Sequence, residues 1–262
     1  MRLTFFIFLF IIFLPASGST DEKAISSATL LQAVDNLNII TEIYPPYNFK
    51  EKGELKGISV DLMVLMLKKL NSRQTRNNIK LWPWARGYRE VLEKKNACLF
   101  STTRTGEREK HFKWVGPITS TTISIFARKE KKIKINSLQD IKEYRIGVVL
   151  DDIGEQLLVT GGIPLIKLDR MGGVNVILQS LKKLDRDRIE VFSYEENAVK
   201  WQMKAHGINA DNYEVVYTLK EGELYYAFHK DTPDLLLEEL QNALDELKNE
   251  GEYQKILDKY LK

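Results

Sequence analysis

The sequence predicts an α/β protein of two lobes, each built on an open sheet, joined by two crossing strands. Three observations support this. Short apolar runs alternate with helical patterns in two series, over residues 37–101 and 137–218. Strand-like runs at 122–128 and 223–229 stand at the two ends of the second series. Two amphipathic helices close the chain and need a sheet to cover. The chain then leaves one lobe, builds the other and returns. A single larger α/β domain fits the same periodicity.

The elements follow in order. Met1 and Arg2 precede an apolar run over residues 3–14 and the small residues Ala16, Ser17 and Gly18. This is the pattern of a secretory signal peptide, residues 1–18, cleaved after Gly18. Residues 19–35 form a polar leader. A first strand over 37–41 ends at Pro45 and Pro46, which forbid its continuation. A turn at 51–54 leads to a helix over 60–70, capped by Ser59, with Asp61 in its first turn. Strand 79–82, helix 87–95 and strand 97–101 complete the first series.

Strand 122–128 and a basic stretch at 129–134 lead into the second series. Ser137 caps a short helix through 141. Strand 144–150, helix 154–160 and strand 163–168 come next. Gly172 and Gly173 open a helix to 184, followed by strand 189–193. Helix 195–206 stops at Gly207, a C′ glycine. Strands 213–218 and 223–229 precede a long helix with Pro233 at N1 and a stripe of Leu236, Leu240, Ala243, Leu244 and Leu247. Gly251 separates it from a last short helix.

Composition narrows the function. Lys and Arg total 39 against 36 Asp and Glu, a net charge of +3 that falls to +2 without Arg2. That balance points to no nucleic-acid or membrane partner. Cys98 is the single cysteine and forms no intramolecular disulfide. His111, His206 and His229 are scattered, so no metal or other cofactor is called for. The informative stretch is 97–117. An apolar run empties into Ser101, Thr102 and Thr103, then reaches Arg104 and Arg108. Hydroxyls beside a guanidinium fork suit a small anion. From the residues alone, residues 107–110 read better as an exposed helical turn, with Arg108 in a surface ion pair with Glu107 or Glu109.

Ordered anchors extend this reading: Tyr44 to Tyr47, Gly53 to Gly57, Trp84 to Arg86, residues 103–117, 137–141 and 145–149, and Gly251 to Ile256. Together they resemble the amino-acid-binding type of periplasmic solute-binding proteins of ABC importers, extracellular solute-binding family 3. The resemblance implies a two-lobed periplasmic-binding-protein fold of type II. Lobe one spans about 36–126 plus 223–262, and lobe two 127–222. It implies a periplasmic monomer, not an enzyme, that closes on a small polar solute such as an amino acid. An inner-membrane ABC permease then reads the closed form.

By the resemblance, Arg108 grips a ligand carboxylate, with Thr103 and Ser101 offering hydroxyl or backbone donors. Tyr44 lies where the family sets an aromatic against the solute, and Trp84 forms the opposite wall. Arg86 either reaches the ligand or pairs with Glu90. Glu42 either takes an ammonium group or stays a loop charge. Lobe two departs from the pattern. Asp151 and Asp152 stand where the family commonly has Gly-Thr or Gly-Ser, and Asp152 either caps a helix or favours a cation. The family's acidic residue for the amino group falls near Tyr194, with Glu195 adjacent. Two alternatives share this scaffold. One is a ligand sensor docking on a receptor. The other is a periplasmic lyase using Glu42 or Glu195 as acid or base.

Overall fold

The computed structural model describes residues 27–173 and 175–261; the expected signal peptide and residues 19–26 of the leader lie outside them, and the rest of the leader forms a helix. The chain runs α1 (Ser27–Asp35), β1 (Asn38–Thr41), β2 (Phe49–Glu51), β3 (Glu54–Lys56), α2 (Ile58–Lys69), β4 (Lys80–Leu81), α3 (Trp84–Glu93), β5 (Ala97–Thr103), α4 (Gly106–Glu109) and β6 (Phe112–Arg128). It continues through β7 (Ile146–Val149), α5 (Ile153–Thr160), β8 (Leu168–Met171), α6 (Val176–Asp185), β9 (Val191–Glu195), α7 (Glu196–Ala205), β10 (Tyr213–His229), α8 (Asp234–Asn249) and α9 (Glu252–Leu261).

Eight strands form one ladder in the order β4-β1-β5-β10-β6-β9-β7-β8. β1 is parallel to β4 and β5, and β7 is parallel to β8 and β9. Between these groups lies the antiparallel pair β6 and β10, each 17 residues long. One end of β10, from Leu224 to Phe228, pairs with β5; the other end of the crossing, Ile123 to Ala127 of β6, pairs with β9. Between them, Ser120, Thr121 and Thr122 pair with Glu223, Gly222 and Glu221. The two expected sheets are thus halves of one ladder, because the crossing strands serve both lobes.

Both faces of the first lobe are covered. Ile40, Leu99 and Ala227 pack with Trp84 and Val91 of α3. Phe100, Tyr226 and Phe228 share a cluster with Met63 and Met66 of α2 and Leu240 and Leu244 of α8. The five residues of the α8 stripe are all buried. Asp61 on α2 accepts from Arg76 (2.8 Å), Lys259 (2.8 Å) and Tyr260 (2.7 Å), which ties α9 to α2. In the second lobe, Val148, Leu158 and Val191 pack with Ile125 and Ala127 of β6. Among the described residues, no helix is long and apolar enough to cross a membrane.

The differences from expectation have local causes. The turn at 51–54 is the tip of a hairpin, with Phe49 paired to Lys56. Ser59 lies inside α2, and Gly57 is its N-cap. Pro233 is likewise the N-cap of α8 rather than N1. α3 begins at Trp84 because Pro83 serves as its N-cap. The apolar run expected as strand 163–168 begins instead with a 3-10 turn, Leu165–Lys167, capped by Pro164. That turn leaves Ile166 93% exposed, and the strand starts at Leu168.

Candidate functional site

The site is assembled from residues that follow the carboxyl ends of parallel strands, the usual position for ligands on open α/β sheets. Glu42 follows β1, Arg108 lies on α4 just past β5, Asp152 follows β7, and Glu195 ends β9.

The corner after β1 is fixed from below. Tyr44 N–H donates to the Asn48 carbonyl (2.7 Å), and Tyr47 N–H to the Tyr44 carbonyl (2.9 Å). Ser59 N–H, at the start of α2, donates to the Tyr47 carbonyl (2.9 Å). Gly57 permits this approach: its φ is +124°, and a Cβ there would sit 2.2 Å from the Tyr47 carbonyl oxygen. The Ser101 hydroxyl is taken up by Asn48 Oδ1 and by Ser59 Oγ (2.8 Å). Asn48 Nδ2 in turn donates to the Glu42 carbonyl (2.7 Å). Ser101 therefore braces the corner from behind. Tyr44 meets Tyr47 (5.1 Å between centroids) and Tyr194 (5.5 Å) edge to face.

Arg108 is 1% exposed. Thr105 caps its short helix, and the guanidinium carbon lies 5.3 Å from both the Trp84 and Tyr88 ring centroids. Nη1 donates to the Thr103 carbonyl (2.9 Å) and Nε to Gln156 Oε1 (3.1 Å). Nη2 is buried and has no hydrogen-bond partner in the protein. Thr103 thus contributes its backbone carbonyl. Glu109 pairs with Arg104 (2.5 Å) and not with Arg108. A buried cation with a free donor is costly unless something accepts from it.

The crevice is shut by direct bonds between lobes. Trp84 Nε1 donates to the Asp151 carbonyl (2.8 Å), which also accepts from Gln156 Nε2 (3.0 Å). Asp151 adopts φ +60° to present it. Tyr47 Oη donates to Glu195 Oε1 (3.1 Å) and accepts from Asn197 Nδ2 (3.2 Å). Phe49 packs on Trp201 with centroids 4.9 Å apart. Beside these contacts an open pocket of about 370 Å³ has Tyr88, Arg108, Glu155 and Gln156 on its walls.

Acid groups crowd the interior. Glu42 is 5% exposed; burial pushes its carboxyl well above the usual range, Asp152 adds to this, and Arg108 opposes it. Asp152 is the N-cap residue of α5; burial raises it, while Arg108 and the N–H groups of Ile153 and Gly154 pull it down. Glu195 is pushed up to about 7 by burial, against the N–H groups of Ala198 and Asn197 and the Tyr47 hydroxyl. Arg86 is set apart. It is exposed on α3 with its guanidinium 3.8 Å from the Trp82 ring centroid, and Glu90 accepts from Asn38 instead. Gln156, Asn197, Tyr88 and Tyr194 join the site without having been singled out by the sequence as contacts. Tyr194 alone had a signal, ending an apolar strand beside an acid.

The model of the bacterial extracellular solute-binding proteins, family 3, matches residues 37–262. The chain belongs to this family. Among curated proteins, none matches its sequence. Solved structures of similar fold include a histidine kinase sensor domain with similarity to periplasmic binding proteins, at 18% identity and TM-score 0.74 over 86% of this chain and 96% of that one. A mutant of ArgBP from T. maritima is 19% identical, with TM-score 0.74 over 90% and 99%. At such identity these two bear on the fold alone. An ancestral arginine-binding protein bound to arginine is 25% identical, with TM-score 0.70 over 86% and 98%.

For this solute-binding protein the Glu195 carboxyl gives a pH signature. Its pKa is raised from 4.5 to about 7, so between those values the folded protein holds a proton that the unfolded chain releases. The contribution of Glu195 to stability therefore falls as pH rises through that window. Glu195→Gln mimics the protonated form. Relative to wild type, the variant is expected to gain melting temperature steadily from about pH 5 to pH 8. Glu42 and Asp152 titrate in both proteins and cancel. A difference that is flat across this range would show that Glu195 is ionised throughout.

Proposed function

We propose that this protein binds an amino acid or a close carboxylate relative between its lobes and delivers it, by cleft closure, to an ABC permease of the inner membrane. The observation that carries the proposal is the Arg108 guanidinium, buried against the Trp84 and Tyr88 rings with Nη2 unpartnered. A carboxylate oxygen in the crevice completes its donor set. Tyr44 and Trp84 supply walls for the solute, Thr103 orients the arginine through its carbonyl, and Asp152 or Glu195 receives the ammonium group. Ser101 holds the tyrosine corner, and Arg86 stays at the outer rim. The solute-binding family and an arginine-binding relative support this reading.

In this account lobe one comprises about 36–126 plus 223–262, and lobe two 127–222. Residues 1–18 act as a cleaved signal peptide, and the mature protein works in the periplasm as a monomer. It uses no cofactor, binds no nucleic acid and releases its solute chemically unchanged. Native mass spectrometry of the purified protein, followed by a thermal-shift screen of amino acids, tests the proposal. One bound amino acid, or a melting temperature that rises with one, is expected. A chain that responds to none of them, or that releases an altered molecule, contradicts it. A histidine kinase sensor domain shares this fold, and a second reading is therefore a sensor whose closed form docks on a receptor. Capture of a permease subunit or of a receptor by the liganded protein separates the two.

A further inference from the structure

A guanidinium holds three nitrogens in one plane, and those of Arg108 serve three different parties. Nη1 donates to the Thr103 carbonyl of its own lobe (2.9 Å), Nε donates to Gln156 Oε1 of the other lobe (3.1 Å), and Nη2 is left for the solute. A solute that fixes the plane through Nη2 therefore fixes the direction of Nε as well. Gln156 is placed to use this. It closes the first turn of α5, where its N–H donates to the Asp152 carbonyl (3.0 Å). Its side-chain Nε2 donates to the Asp151 carbonyl (3.0 Å), the same oxygen that receives Trp84 Nε1 (2.8 Å) from lobe one. One side chain thus joins both bonds that tie the Arg108 and Trp84 wall to lobe two. Its chemistry is constrained. Arg108 only donates and the Asp151 carbonyl only accepts, so the group between them must accept at one end and donate at the other. An amide does both; a carboxylate, an ammonium or an apolar chain fails on at least one side.

We propose that Gln156 is the positioning residue that converts the grip of Arg108 on the solute into closure of the crevice, and that it thereby sets how long the solute is held. This role rests on the amino-acid reading above and adds to it the group in lobe two that senses a filled arginine. Closure brings Oε1 onto Nε only when the guanidinium lies in the plane that the Thr103 carbonyl and the solute carboxylate define together. By linkage the reverse holds: Gln156 seated on Nε orders Nη2 for the solute. Entry does not involve Gln156, because the solute meets Arg108 on lobe one before lobe two arrives. Removing the amide should therefore act on release and not on uptake.

Stopped-flow fluorescence of the purified protein, which carries Trp84 in the crevice, separates the two rates. The probes are the twenty protein L-amino acids, L-arginine first. Gln156→Met keeps the length of the side chain and loses the amide. It is expected to release the bound amino acid roughly 10- to 100-fold faster than wild type, while taking it up within about 2-fold of the wild-type rate. The unliganded variant is expected to melt close to wild type, since open lobes give Arg108 and the Asp151 carbonyl to water. A loss of affinity that lies wholly in slower uptake overturns the inference, because it marks a damaged site and not a lost latch. Gln156→Leu repeats the measurement should the methionine variant fold poorly. Should an amino acid bind and leave the variant no faster than wild type, amino-acid binding stands and the role of Gln156 falls. Should no amino acid bind at all, both fall together.

Discussion

Replacing Arg108 with alanine is expected to abolish the thermal response to any carboxylate solute and to weaken binding by at least ~100-fold. Three bonds are lost at once: the charge-assisted contact that Nη2 is free to make, the bond from Nη1 to the Thr103 carbonyl, and the bridge from Nε to Gln156 across the lobes. Truncation also empties the space beside the Trp84 and Tyr88 rings, so the unliganded protein should melt somewhat lower. Arg108→Lys separates the two effects. It keeps a cation but not the planar fork that reaches Thr103, Gln156 and a solute together. Calorimetric titration should show Arg108→Lys nearly as impaired as Arg108→Ala. Wild-type affinity in either variant would place the solute elsewhere.

Gly57→Ala is expected to cause the largest loss of stability, about 3 kcal/mol, a drop in melting temperature of roughly 6–12 °C. The cause is backbone against backbone. The new Cβ falls 2.2 Å from the Tyr47 carbonyl oxygen and 2.7 Å from Asn48 N, at a φ of +124° that alanine rarely adopts. No side chain can rotate away to relieve it. The corner must lift off α2, carrying Tyr44 and Tyr47 with it, so solute binding should fail along with stability. Gly53→Ala is the control. Its φ is +85°, but nothing lies within 4 Å of the added carbon. A comparable loss in both variants would show that dihedral strain, and not the collision, decides the outcome.

Most of the fold was legible because its signals are local. The α8 stripe, the Gly207 stop and the apolar runs of β1, β5, β7 and β9 depend on residues a few positions apart. The crossing strands were read too short. Gly116 and Pro117 look like a break, yet Pro117 falls in the register shift between the Val115–Tyr226 and Thr119–Leu224 pairs, where the ladder tolerates it. Gly222 looks like a turn, yet it pairs with Thr121. The site was legible in its anchors and not in its wiring. Arg108 stood out by the residues around it, but its freedom from Glu109 depended on Arg104 taking that acid. The bond of Tyr47 to Glu195 spans 148 positions, and that of Trp84 to Asp151 spans 67. No periodicity encodes such pairs.

The half of the molecule begun first is the last to be completed. β5 leans on Leu224 to Phe228, and the apolar flank of α2 waits for Leu240 and Leu244. Until β10 and α8 have been made, β5 has one open edge and α2 one bare flank. The second half carries its own cluster around Val148 and Val191, but it also draws on both long strands. Closure of the first lobe therefore waits on residues 224–244, which come after the whole of the second.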